Sequence, residues 1–178
     1  MLTSTGWAFN VPAIPRATRM SSPKAAANDF PALPEPACAP TSTPYGILVT
    51  GIGGTGVVTV GAVLGMAAHL EGRAASVYDM TGLAQKGGAV LSHVKIIDDA
   101  SRALAPRVGV LEADVVLGCD LVVTASAEVL RAIDAGRTRV ALNTHVVPTA
   151  LFQRDPDVDF HERELIAGIE QLAGRECT

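Results

Sequence analysis

Two glycine-rich turns hold the residues whose types and spacing could do chemistry. Gly51-Ile52-Gly53-Gly54-Thr55-Gly56 keeps the G-x-G-x-x-G spacing. Between a strand and a helix, such a turn lets backbone amides and the positive helix end cradle a phosphate or pyrophosphate. The alternative is a tight turn that only packs strand against helix. Thr55 would cap that helix or bond a phosphate oxygen. The second turn, Thr81 to Gly88, contains Gly82, Gln85, Lys86, Gly87 and Gly88. It brings small residues and one lysine to the carboxyl edge of a sheet, where open α/β folds bind ligands. Its alternative is a solvated hairpin tip.

Other polar groups fall at strand ends. Asp79 lies 23 residues after Gly56, where a dinucleotide fold places the acid that binds ribose hydroxyls. Alone it suggests NAD; the second glycine turn speaks against that reading. Ser92 and His93 alternate within one strand, and no G-x-S-x-G elbow accompanies them, so a serine nucleophile is not expected. His93 reads instead as a hydrogen-bonded histidine near an interface. Cys119 and Asp120 end one strand, and Asn143, Thr144 and His145 end another, which would gather them at one sheet edge. Cys119 reads as a small buried residue rather than a nucleophile, and His69 as a packing histidine.

The elements that must position these groups follow from the apolar pattern. Strands are expected at Ile47–Thr50, Ala75–Met80, Ala89–Ile97, Val115–Gly118 and Val140–Asn143. Helices are expected at Val57–Leu70, Leu121–Ile133 and Glu162–Ala173. The helix from Val57 is apolar nearly all round, so it should be buried. Gly61 and Gly65 share one of its faces and would allow close approach to a strand. The Thr81–Gly88 connection is too short for a crossover helix, which makes its flanking strands hairpin neighbours. The fold class is α/β, a Rossmann-like three-layer domain with a mostly parallel sheet.

Composition sets the outer bounds. Eight of eleven prolines fall in residues 1–44, whereas sixteen of seventeen glycines lie from Gly46 onward. Residues 1–44 therefore read as a disordered Pro-rich arm, and residues 45–178 as the single domain that 178 residues can support. A net charge of −4 without a basic cluster argues against nucleic acid or an anionic membrane as partner. Cys38, Cys119 and Cys177 form neither a disulfide framework nor a C-x-x-C knuckle, and no apolar run would span a bilayer. A cytoplasmic location is expected, with no metal site on this chain.

The runs GILVTGIGGTGVVTVGAVLGMAAHLEG, YDMTGLAQKGGAVLSHVKI, GCDLVV and NTHVVPTALF together resemble the gamma-type domain of the 2-oxoacid:ferredoxin oxidoreductases, nearest the indolepyruvate branch. The resemblance covers about Tyr45 to Phe160. It implies a component of an enzyme that oxidatively decarboxylates a 2-oxoacid to an acyl-CoA. Thiamine diphosphate with Mg and iron–sulfur clusters would sit on partner domains or subunits, and ferredoxin would take the electrons indirectly. Coenzyme A is the cofactor this domain would hold. Gly51, Gly53, Gly54, Thr55 and Gly56 would face a phosphate-bearing ligand or a neighbour's thiamine site, with Gly82, Gln85, Lys86, Gly87 and Gly88 lining the same cleft. Asp79, Asn143 and His145 are substrate or interface candidates, and no residue here is assigned a catalytic role. The chain has no cysteine cluster and no thiamine motif, and it stops soon after its last helix, where the family continues. It is therefore expected to be inactive alone, as a subunit or as a piece of a longer polypeptide. The competing readings are an independent NAD-binding protein and a non-catalytic fragment or interaction module.

Overall fold

A computed structural model describes residues 39–82, 87–102, 104–145 and 160–173. Residues 1–38 of the expected arm, and Gln85 and Lys86 of the second turn, lie outside the described residues. The described part belongs to one compact unit, Cys38–Thr178. Its elements are β1 Tyr45–Ile52, α1 Val57–Leu70, β2 Ala74–Thr81, β3 Ala89–Ile97, β4 Val115–Gly118, α2 Leu121–Thr124, α3 Ala127–Leu130, β5 Arg139–Leu142 and α4 Glu162–Ala173.

The sheet order is β2-β3-β1-β4-β5. β1 pairs in parallel with β4, as β4 does with β5, while β3 pairs antiparallel with both β1 and β2. Four of the five strands thus run in one direction, and only β3 opposes them. The short connection dictates this arrangement: Gly82 N–H donates to the Ala89 carbonyl at 3.0 Å, closing the β2–β3 ladder as a hairpin.

Strand alternation divides the core between two faces. Ile47, Val49, Val90 and Val94 pack with Val57 of α1. Leu48, Leu91, Val116 and Val140 pack with Leu121, Val129 and Ile169 from the opposite helices. Helices on both faces of one sheet give the expected three layers.

Two expectations about helices are corrected. α1 is not buried: only Val57, Gly61 and Ala68 are, because its small residues pack on the sheet and its larger ones point outward. A Cβ on Gly65 would lie 2.6 Å from Val77 Cγ2, so that close approach needs glycine. The helix expected over Leu121–Ile133 is two single turns. Ser126 has ψ 148, an extended conformation that breaks the helix. In the first turn Thr124 bonds the Asp120 carbonyl twice, through its hydroxyl at 2.6 Å and through its N–H at 3.0 Å.

Candidate functional site

β1 delivers the first glycine turn to the carboxyl edge of the sheet, and the β2–β3 hairpin delivers the second. Gly53 N–H donates to the Gly88 carbonyl at 2.8 Å, so the two turns meet. Within the first, Thr55 N–H and its hydroxyl both donate to the Ile52 carbonyl, at 3.2 Å and 2.7 Å. Thr55 therefore tightens the turn and does not cap α1. The N-cap is Gly56, left-handed at φ 92, with no side-chain bond to the helix start and no acidic residue in the first turn. Gly54 is left-handed as well, at φ 91.

This geometry sorts the amides. Gly53 and Thr55 bond within the protein, whereas the N–H groups of Val57, Val58 and Thr59 open the helix, where no intrahelical acceptor exists. They border a cavity of about 260 Å³ lined by Ile52, Gly53, Gly54, Gly56 and Val90 as well. The positive end of α1, beside N–H donors that no described residue takes up, suits an anionic group. The volume suits a phosphate end, since complete small-molecule sites run to roughly 300–1,000 Å³. A larger cavity of about 510 Å³ lies at the opposite edge of the sheet, between Tyr45, Lys95 and Arg137. Its charges are already paired, Lys95 with Glu112 and Arg137 with Asp114, which leaves the glycine cleft as the better candidate.

β1 and β4 separate where the chain changes faces, α1 covering one side and α2 the other. Such a switch point is where open α/β sheets bind ligands. Cys119 N–H donates to the Thr50 carbonyl at 2.8 Å, seating β4's end beside the first turn. Cys119 is exposed rather than buried as expected, because it leaves the strand at the open edge. Desolvation pushes its thiol up, and its sulfur lies 4.0 Å from the Leu117 carbonyl, so nothing here makes it a thiolate.

Asn143 and His145 share that edge. Asn143 Nδ2 donates to the Cys119 carbonyl at 3.2 Å, and Asn143 Oδ1 accepts from His145 N–H at 3.1 Å. Asn143 thus ties the ends of β4 and β5. Asp79 is not brought to the cleft. Because β3 intervenes, Asp79 is level with Ser92 and, through it, with Val49, three residues short of the end of β1. That is two strand spacings from β1, about 9–10 Å, and below the glycine turn, where no ribose bound there would meet it. The NAD geometry is therefore lost through β3. His69 is exposed on α1, since its side chain lies off the sheet-packing face.

His93 is buried, and its Nδ1 accepts from Val108 N–H at 3.2 Å. Burial first, and the Arg107 charge second, hold its pKa below the ordinary value. Sequence reasoning did not single out Val57, Val58, Thr59 or Val90. The signal for Val90 was present, since alternation from Ser92 places it on the α1 face beside the turn.

The chain is similar to several known proteins. The family described as pyruvate ferredoxin/flavodoxin oxidoreductase matches residues 46–174. Indolepyruvate oxidoreductase subunit IorB of Methanothermobacter thermautotrophicus is 29% identical over 132 residues, 73% of this chain and 63% of that protein. The IorB of Pyrococcus horikoshii is 37% identical over 73 residues, 41% of this chain and 35% of that protein. The chain thus spans about a third to two thirds of these curated relatives. Among solved structures, pyruvate oxidoreductase subunit PORC of Thermotoga maritima has a TM-score of 0.47 at 18% identity, covering 74% of this chain and 57% of that one. The gamma subunit of a keto/oxoacid ferredoxin oxidoreductase from Geobacter sulfurreducens has a TM-score of 0.42 at 21% identity, covering 73% of each. With its match running from the first strand through the last helix, the chain belongs to the pyruvate ferredoxin/flavodoxin oxidoreductase family.

Proposed function

We propose that this chain is a component of a thiamine diphosphate-dependent 2-oxoacid ferredoxin oxidoreductase, of the indolepyruvate kind, that forms an acyl-CoA and is inactive without its partner subunits. The observation that supports this most is the joining of the two glycine turns by the Gly53–Gly88 bond beside an uncapped helix start. The cleft fits the phosphate end of coenzyme A: α1's first amides would donate to it, and its first turn carries no carboxylate to repel it. Coenzyme A supplies the thiol that takes up the acyl group. Gly54 and Gly56 hold the backbone open for the ligand, and Lys86 is assigned the added positive charge toward coenzyme A or the 2-oxoacid carboxylate. Thiamine diphosphate, Mg and iron–sulfur clusters belong to the partner domains on this reading, ferredoxin accepts the electrons there, and the assembly is cytoplasmic. Among the described residues, no helix is long and apolar enough to cross a membrane.

The test is a thermal-shift series on the purified chain with coenzyme A, thiamine diphosphate and NAD, paired with Lys86→Ala in the reconstituted enzyme. Coenzyme A should raise Tm, by several degrees near 100 times Kd, and Lys86→Ala should raise its KM about tenfold. Stabilisation by NAD that vanishes in Asp79→Ala would replace the proposal with a dinucleotide enzyme.

A further inference from the structure

A second cavity, of about 340 Å³, opens on the face of the sheet away from α1. Ser92 meets α1 at Gly61, so strand alternation turns His93 to the other face, level with Leu48 of β1. Leu48, Val108 and Ala132 give the cavity a buried apolar wall. Arg107, Glu128 and Arg131 give it a charged mouth. Small-molecule sites of roughly 300–1,000 Å³ have this composition, an apolar wall with a few convergent polar groups. The volume is at the lower end of that range, which suits a small ligand.

Two observations define the charge such a ligand must bring. Arg107 Nη2 donates to Glu128 Oε1, so that pair is neutral. Among the described residues, Arg131 donates only from Nε to the Ala127 carbonyl at 3.1 Å, within its own turn of chain. The other carboxylate on this segment, Glu112, is taken by Lys95. Arg131 thus keeps an unmatched positive charge and the outer N–H groups of its fork. His93 supplies the second observation. It is 2% exposed, and its Nδ1 accepts from Val108 N–H at 3.2 Å. The neutral ring therefore carries its proton on Nε2, which has no hydrogen-bond partner. A buried donor without an acceptor is a cost that a bound acceptor would remove. The rim is held in an unusual shape. Leu111 is left-handed at φ 57, rare for a bulky side chain, with its N–H on the Arg131 carbonyl at 2.9 Å. This places Val110, 67% exposed, at the edge of the cavity.

We infer that this cavity binds a small monocarboxylate with an apolar body, at a site separate from the glycine cleft and independent of the function proposed for it. The planar carboxylate pairs with the outer N–H groups of Arg131. The apolar body lies on Leu48, Val108 and Ala132, with Val110 at its edge. Glu128 sets the charge that fits: by cancelling Arg107 it leaves one positive charge, enough for one carboxylate and too little for a phosphate dianion.

The experiment is calorimetric titration of the full chain with benzoate, beside benzamide as a neutral control of the same shape. Benzoate should bind with a Kd of about 1 mM or below, and benzamide about tenfold more weakly. Arg131→Gln should weaken benzoate about tenfold. Its side chain is exposed, and circular dichroism checks that the variant is folded. Glu128→Gln releases Arg107 and should tighten benzoate about threefold, a gain that a purely structural carboxylate would not give. No benzoate binding by about 10 mM overturns the inference. So does benzamide binding as tight as benzoate, or benzoate affinity unchanged in folded Arg131→Gln. If Arg131→Gln fails to fold, Glu128→Gln carries the test, and an affinity that is unchanged or weaker overturns the inference.

Discussion

The Gly53 amide and the Gly88 carbonyl, 2.8 Å apart, join two turns separated in the chain by the whole of α1 and β2. The three interior glycines of the first turn consequently have different duties. Gly53 has ordinary room, since an added Cβ would meet the Gly88 carbonyl oxygen at 3.5 Å and Val90 Cγ2 at 3.6 Å. Gly54 and Gly56 have open space but left-handed backbone, at φ 91 and 92. Gly53→Ala should leave stability within about 0.5 kcal/mol, whereas Gly54→Ala and Gly56→Ala should each cost about 1–2 kcal/mol. Urea denaturation of the three variants checks the order, and equal losses would contradict it.

Gly61 sits on Ser92. A Cβ there would lie 2.0 Å from Ser92 Oγ and 3.1 Å from Ser92 Cβ. Helix propensity favours alanine over glycine by about 1 kcal/mol, but overpacking costs about 1–3 kcal/mol and should win. Ser92 Oγ is buried without a hydrogen-bond partner, so Ser92→Ala should be neutral or slightly stabilising. The double variant should recover most of the loss of Gly61→Ala. A thermal double-mutant cycle with no coupling between the two positions would place the strain elsewhere.

The reach of the sequence is clearest where local and distant causes separate. α1, β3, β4 and α4 begin and end at the residues their apolar patterns indicate, because each is bounded by Gly, Pro or charged residues nearby. That β3 inserts between β1 and β2 was not legible, for it depends on partners more than forty residues apart, such as Val49 and Ser92. Asp79 was misplaced for that one reason: counting residues from Gly56 assumes that β2 lies beside β1. The outward turn of Val63, Met66 and Leu70 was equally hidden, since hydropathy shows that a helix is apolar but not which face meets its own sheet. The break at Ser126 is a change of backbone conformation at one residue, which periodicity does not register.

Asp114 anchors the opposite edge of the sheet. Its carboxylate accepts Arg137 Nε at 2.5 Å and Nη2 at 2.7 Å, together with the Gly46 amide at 2.7 Å. Arg137 is held above the usual arginine value, chiefly by this bidentate pairing. Asp114→Ala removes an acceptor from both the guanidinium and the start of β1, so it should cost about 2–3 kcal/mol. Arg137→Ala leaves the carboxylate its amide and partial solvent, and should cost about 1 kcal/mol or less. Chemical denaturation of both variants measures the difference, and a larger loss for Arg137→Ala would reverse the assignment of anchor and partner.

His93 sets a pH dependence with a definite sign. Burial and Arg107 lower its folded pKa below the ordinary 6.5, so the folded state favours neutral imidazole. The unfolded chain then binds the extra proton. Stability is full above about pH 6.5 and falls as pH drops below it, by up to about 1.4 kcal/mol per pH unit until the folded pKa is reached. Glu112 acts in a lower window: its carboxyl is held below the usual value, first by the hydrogen bond from Lys95, and its contribution is lost as pH falls below about 4.5. Denaturation midpoints between pH 7.5 and 5.5 therefore report His93. His93→Gln should lose some stability at pH 7.5, where Nδ1 no longer takes the Val108 amide, and should show a flatter profile below pH 6.5. A wild-type profile as flat as the variant's would mean that the folded protein admits the proton at no cost, contrary to the burial of this ring.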